Sequence, residues 1–196
     1  MTGVILAGGE NKRMGTDKAF LELSGRPLIE HILQVFLAQF DETLVVTNSP
    51  ERYARYPVRM VTDALTVRGP LTGIYTALLH ARTDRCFVTA CDMPFPNKRL
   101  IAYMLESAGN FDAVVPRPGG LAEPLHAIYH RRLLPLIGKS IEQDELRITR
   151  LLEACRVRYL SETEIVHYDP QMRVFKNINT PEEFKEAVCS DSECRN

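Results

Sequence analysis

The sequence predicts an α/β fold in one domain, a mostly parallel sheet with helices on both faces, and three observations lead there. Short apolar runs alternate with longer stretches of helical periodicity, the pattern of strands joined by crossover helices. The first apolar run, residues 3–6, opens into a glycine- and charge-rich stretch that cannot continue a strand. The 196 residues, 45% hydrophobic and 25% charged, suit a single core better than two.

Taken in order, residues 3–6 form a buried first strand and residues 7–18 a loop at its carboxyl end. Pro27 opens a helix, since the first helical turn does not need the donor that proline lacks; its apolar face is Leu28, Ile32, Leu33, Val35, Phe36 and Phe40. Residues 43–47 (TLVVT) and 59–62 read as the next strands, and 71–81 as a helix that begins at Gly69-Pro70. The run at 85–90 (RCFVTA) is another buried strand. Pro94 and Pro96 stop it, and Asn97 caps a helix reaching Ser107. Further strands are expected at 113–116, 124–129 and 157–160, with helices at 131–138, 147–154 and 180–188. The domain spans residues 1–189, and 190–196 read as a disordered tail.

A formal net charge of -1 provides no basic field for a nucleic-acid backbone or an anionic membrane. There is no run of about 18 apolar residues and no export signal, so the chain is expected in the cytoplasm. The five cysteines, Cys86, Cys91, Cys155, Cys189 and Cys194, are odd in number and form no C-x-x-C pair; they are read as core or tail thiols.

In open α/β sheets, ligands bind beyond the carboxyl ends of strands where strand order reverses. Three predicted carboxyl ends carry unusual residues: the glycine loop after Leu6, Asp63 after the strand at 59–62, and Asp92 after the strand at 85–90. Gly8, Gly9 and Gly15 bracket Lys12, Arg13 and Lys18, so bare backbone amides and three cations are offered to one ligand, an arrangement suited to a polyphosphate. The loop matches neither G-x-x-x-x-G-K-[ST] nor G-x-G-x-x-G. Asp92 is either a ligand of magnesium, which needs few protein carboxylates besides phosphate oxygens and water, or the cap of the helix that follows. No G-x-S-x-G or H-E-x-x-H motif is present. His126 and His130 have the spacing of helical metal ligands, but the apolar residues between them read as strand.

The string Leu6-Ala7-Gly8-Gly9, followed by Arg13-Met14-Gly15 and Asp17-Lys18-Ala19, resembles the signature loop of molybdenum cofactor guanylyltransferases. Further blocks resemble that family in family order, among them Gly69-Pro70-Leu71-Thr72-Gly73, Ala90-Cys91-Asp92-Met93-Pro94 and Asn177-Ile178-Asn179-Thr180-Pro181. One departure is Asn11, where the family more often has serine. The resemblance implies a Rossmann-like nucleotidyltransferase fold and transfer of GMP from GTP to the terminal phosphate of molybdopterin, with release of pyrophosphate. It also implies Mg2+ as cofactor, and transient contact with cofactor maturation proteins and molybdoenzymes.

By the same resemblance, Leu6, Ala7 and Gly8 meet the guanine while Gly9 to Gly15 wrap the phosphates and Lys18 holds them. Asn48, Asp63 and the turn of Gly69, Pro70, Leu71 and Gly73 read the nucleoside, and Asp92 carries magnesium. Lys18, Arg13 and Asp92 are the expected catalytic residues. The pterin is expected across Pro124 to His126 and Asn177 to Asn179; His126 is either buried or beside the pterin, and Asn177 and Asn179 serve either the pterin or a turn and cap. Two alternatives stay open, a cytidylyltransferase acting on the same pterin and a carrier without catalysis.

Overall fold

A computed structural model describes residues 1–8, 18–63, 65, 67 and 69–178. Gly9, Arg13, Gly15 and Asn179, together with the expected helix at 180–188 and the tail at 190–196, lie outside the described residues.

Strand β1 is Thr2–Leu6, buried almost throughout, as its unbroken apolar run requires. A short 3-10 turn, Lys18–Phe20, leads into a ribbon of β2 (Glu22–Leu23) and β3 (Arg26–Pro27). Its two-residue turn has positive φ at Ser24 and Gly25 (50° and 77°), as the tight hairpin geometry demands. Two-residue strands carry no alternation, so this ribbon leaves no periodic pattern in the sequence. Pro27, expected in the first helical turn, instead ends the ribbon with an extended ψ of 144°, and helix α1 runs from Leu28–Gln39.

Next come β4 (Glu42–Val46), β5 (Arg59–Val61), α2 (Pro70–His80) and β6 (Arg85–Ala90). Helix α3 (Lys98–Glu106) is capped as expected, the Asn97 side chain accepting hydrogen bonds from the Arg99 and Leu100 amides at 2.9 and 3.1 Å. Strand β7 is Ala113–Pro116, and β8 is His126–His130, starting two residues later than expected because Pro124 and Leu125 form a turn. Helices α4 (Leu134–Glu142) and α5 (Ile148–Glu153) precede β9 (Val157–Leu160). Helix α6 (Glu162–Tyr168), absent from the sequence reading, is held by a reciprocal Ser161–Glu164 capping box.

The seven-stranded sheet has the order β5-β4-β1-β6-β8-β7-β9, and every strand but β8 runs in one direction. One face is covered by α1, α3 and α6 through Ile32, Phe36, Leu100, Met104 and Ile165. The other is covered by α2, α4 and α5 through Leu71, Ile74, Ile137 and Leu152. A methyl group on Gly3 would lie 2.3 Å from the Phe40 ring, so glycine is what lets α1 close on the sheet. The chain leaves β1 for β4 and β5, then returns to β6 on the other side, so strand order reverses beside β1. The carboxyl ends of β1 and β6 therefore border the crevice in which such sheets bind ligands.

Candidate active site

The β1 ladder runs one residue past the strand. The Ala7 amide donates to Val46 O at 2.9 Å, and the Cys91 amide donates to Leu6 O at 3.1 Å. These bonds tie the start of the glycine loop to the ends of β4 and β6, and Gly8 leaves them exposed to solvent. Asn48 and Asp63 leave the ends of β4 and β5 side by side, the Asn48 amide donating to Asp63 Oδ2 at 3.1 Å. A Cβ built on Gly8 would lie 3.6 Å from that same oxygen. Gly8, Asn48 and Asp63 thus share one corner; the strand ends alone point to the glycine loop and Asp63, and Asn48 is expected from the family resemblance.

The amino terminus of α2 closes the same end of the sheet. A Cβ on Gly73 would crowd Leu6 Cδ2 at 3.2 Å, so glycine lets the first turn of α2 approach the end of β1 closely. Gly69 and Pro70 are exposed there, and the backbone amides of a first helical turn have no partner within the helix, which favours an anion nearby. Leu71, expected in nucleoside contact, has its side chain wholly in the core.

Lys18 reaches Asp92, with Nζ 3.9 Å from Asp92 Oδ2 and side-chain exposures of 15% and 24%. That separation is longer than a direct hydrogen bond. Asp92 is held in turn by its carbonyl, which accepts the Ile178 amide at 2.9 Å. This bond brings Asn177, exposed, to the Asp92 corner. Ile178 is fixed by packing with Leu23 and Leu28, so the β2–β3 ribbon is what carries the segment near Asn177 to the site.

The family model of the MobA-like NTP transferase domain matches residues 3–159. The molybdenum cofactor guanylyltransferase of Syntrophotalea carbinolica is 38% identical over 187 residues, covering 94% of this chain and 89% of its own. The namesake from Desulfosudis oleivorans is 36% identical over 189 residues, covering 95% and 94%. The chain belongs to the molybdenum cofactor guanylyltransferase family. A crystal structure of molybdopterin-guanine dinucleotide biosynthesis protein A from Archaeoglobus fulgidus agrees in fold, with a TM-score of 0.87 at 30% identity, covering 98% of this chain and 100% of that one. Membership makes the chain a nucleotidyltransferase; Gly8, Asn48, Asp63 and Asp92 lie at the carboxyl ends of strands beside the reversal of strand order, with Lys18 next to Asp92, at the end where open α/β sheets bind ligands.

Among the residues expected at the pterin end of this guanylyltransferase fold, His126 requires correction. It has no exposed surface; its ring packs edge-on against Phe87 at 4.9 Å and near Phe175 at 5.6 Å. Burial drives its pKa down to about 3, so it stays neutral, and neither ring nitrogen has a hydrogen-bond partner among the described residues. Of its two readings the structure takes the buried one, because β8 pairs His126 with Thr89 on the face covered by α1 and α3. His130 lies at the opposite end of β8, half-buried, its Nδ1 accepting the Arg132 amide.

One residue that the sequence reading passed over stands at this end of the guanylyltransferase sheet. Glu123 is half-buried just before β8, and its Oε1 accepts the Leu125 amide at 3.4 Å. Burial raises its carboxyl pKa, the Leu125 amide opposes that rise, and the negative charge of Asp92 adds to it. Its place immediately before Pro124, on the turn facing the Asp92 strand end, was the available signal.

Proposed function

We propose that this chain transfers GMP from GTP to the terminal phosphate of molybdopterin, releasing pyrophosphate and leaving the guanine dinucleotide form of the cofactor. The observation that carries this reading is the approach of Lys18 to Asp92 at the reversal of strand order, in a chain that matches guanylyltransferases over nearly its whole length. The attacking phosphate is already an anion, so the reaction needs charge neutralisation and in-line placement rather than a strong base.

Lys18 holds the phosphates and offsets the charge that builds on the leaving pyrophosphate; Arg13 is proposed to assist it. Backbone groups of Leu6, Ala7 and Gly8 receive the guanine. Asn48 and Asp63 present an amide and a carboxylate to the nucleoside, and the exposed Gly69-Pro70 turn borders it. Asn177, and with it Asn179, borders the acceptor.

The donor chemistry fits a magnesium ion: Asp92 offers a partly exposed carboxylate at a strand end, the kind of hard oxygen ligand that magnesium takes alongside phosphate and water. No cluster of three or more His, Cys, Asp or Glu suited to a metal occurs among the described residues. When bound, the ion neutralises the triphosphate. No described helix is long and apolar enough to cross a membrane. Cys86 and Cys155 carry free thiols, as a reducing compartment keeps them, and the chain is proposed to act in the cytoplasm.

The test is pyrophosphate release by the purified chain with molybdopterin and magnesium, comparing GTP, CTP, ATP and UTP. Release with GTP alone supports the proposal. Release with CTP retains the chemistry and overturns the base assignment, and silence with all four points to a carrier.

A further inference from the structure

We infer that Ile178 is a positioning residue for the transfer: by packing on the β2–β3 ribbon and donating its amide to the Asp92 carbonyl, it sets where the Asp92 carboxylate stands relative to the Lys18 ammonium. This rests on the reading of Lys18 and Asp92 as the groups that serve the triphosphate.

A continuous path of contacts joins the two residues. Lys18 O accepts the Leu21 amide at 3.1 Å, and Leu21 O accepts the Leu28 amide at 2.9 Å. Leu28 and Leu23 are wholly buried and pack with Ile178, whose amide donates to Asp92 O at 2.9 Å. Helix α1 steadies the ribbon, His31 Nε2 donating to Leu23 O at 3.0 Å. The path closes where Lys18 Nζ stands 3.9 Å from Asp92 Oδ2. Beyond Asp92 the chain runs into Met93-Pro94-Phe95-Pro96, where the two prolines have no amide to donate. Phe95 packs against the same three side chains, so this cluster holds the Asp92 segment through both backbone and side chain.

Leu23, Leu28 and Ile178 form a cluster apart from the two that line the sheet faces. Such a satellite adds little to a core that those faces already supply, yet it lies where Lys18 and Asp92 are joined. In a close-packed interior, a missing side chain becomes a shift of whatever it supported, and a displacement of about 1 Å at reacting groups costs about 100-fold in rate. Nucleoside contact at Asn48 and Asp63 is made on the other side of β1, at the ends of β4 and β5, and does not pass through Ile178.

The experiment is steady-state pyrophosphate release by the full chain with GTP, molybdopterin and magnesium, for the wild type, Ile178→Ala, Ile178→Val, Lys18→Ala and Asp92→Ala. Ile137→Ala, the same truncation in the core on the face covered by α4, is the control for lost packing. We expect Ile178→Ala to lower kcat about 10- to 100-fold while the KM for GTP holds. Ile178→Val should keep most of the rate, and Ile137→Ala should lower the melting temperature without lowering kcat. Wild-type kcat in Ile178→Ala, with Lys18→Ala and Asp92→Ala impaired, overturns the role of Ile178 and leaves those two standing. Wild-type turnover in Lys18→Ala or Asp92→Ala removes their reading and this inference together. Equal rate losses in Ile178→Ala and Ile137→Ala make Ile178 a packing residue only and overturn the inference. A higher KM for molybdopterin at unchanged kcat assigns the effect to Asn177 and also overturns it. If Ile178→Ala does not fold, Ile178→Val against Ile137→Val decides by the same split.

Discussion

Lys18 Nζ stands 3.9 Å from Asp92 Oδ2, and the two side chains are 15% and 24% exposed. The pair joins the first loop of the chain to the strand end at β6, 74 residues away in sequence (92 − 18). A gap wider than a hydrogen bond, with charge on both sides and limited water, suits a phosphate on the lysine and a cation on the carboxylate.

Asp92→Ala is expected to abolish metal-dependent pyrophosphate release, and Lys18→Ala to weaken GTP binding and lower kcat by about 100-fold or more, the usual effect of removing one charge-stabilising donor. Steady-state kinetics on folded variants would decide this. Normal turnover in either variant would displace the site from this corner.

Asp63→Asn should weaken GTP binding by about 10-fold or more, because a carboxylate that accepts from the nucleoside forms the stronger, charge-assisted bond. Calorimetric titration with GTP measures it, with Asn48→Ala as companion because the Asn48 amide holds Asp63 Oδ2 at 3.1 Å. Unchanged affinity in both would move nucleoside contact away from the β4 and β5 ends.

Gly3→Ala is expected to destabilise the fold by about 1–3 kcal/mol, the range for overpacking a close-packed core. The added methyl would sit 2.3 Å from the Phe40 ring and 2.8 Å from that of Phe36, so α1 has to shift outward. Urea melts at constant pH read the change directly, and an unaltered midpoint would mean that the helix gives way without cost.

His126 yields a pH signature. Its ordinary pKa near about 6.5 applies in the unfolded chain, whereas burial lowers it to about 3 in the fold. The unfolded state therefore binds the extra proton between those values, and stability falls as pH drops through that window. His126→Leu should flatten the dependence of unfolding free energy on pH between about 6.5 and 5, above the range in which carboxylates titrate. GTP turnover should survive, since the ring lies in the core. An unchanged slope would mean that His126 does not titrate on unfolding.

Much of this architecture was legible because strand burial writes itself as apolar runs. The strands at 85–90, 113–116 and 157–160 fall where the runs are, and the cap at Asn97 follows from a local side-chain bond. Helix α6 was missed because its seven residues carry one buried apolar position, Ile165, too few for a periodic signal. The β2–β3 ribbon was missed because its stability comes from Leu23 packing on Leu28 and Ile178, a contact across the chain.

The sequence by itself determined the class of fold, the strand ends at Leu6, Asp63 and Asp92, and the family, since these depend on residue types in local order. Only the tertiary structure decided that Leu71 and His126 are interior residues, that the turn after Glu123 pairs with the end of β6 through the Ala90 amide on the Leu125 carbonyl, and that Asn177 is carried to the Asp92 corner by the Ile178 amide on the Asp92 carbonyl. The physical reason is that burial and electrostatic neighbourhood arise from strand pairing across the sheet. The antiparallel insertion of β8 between β6 and β7 has no trace in the residues that it brings together.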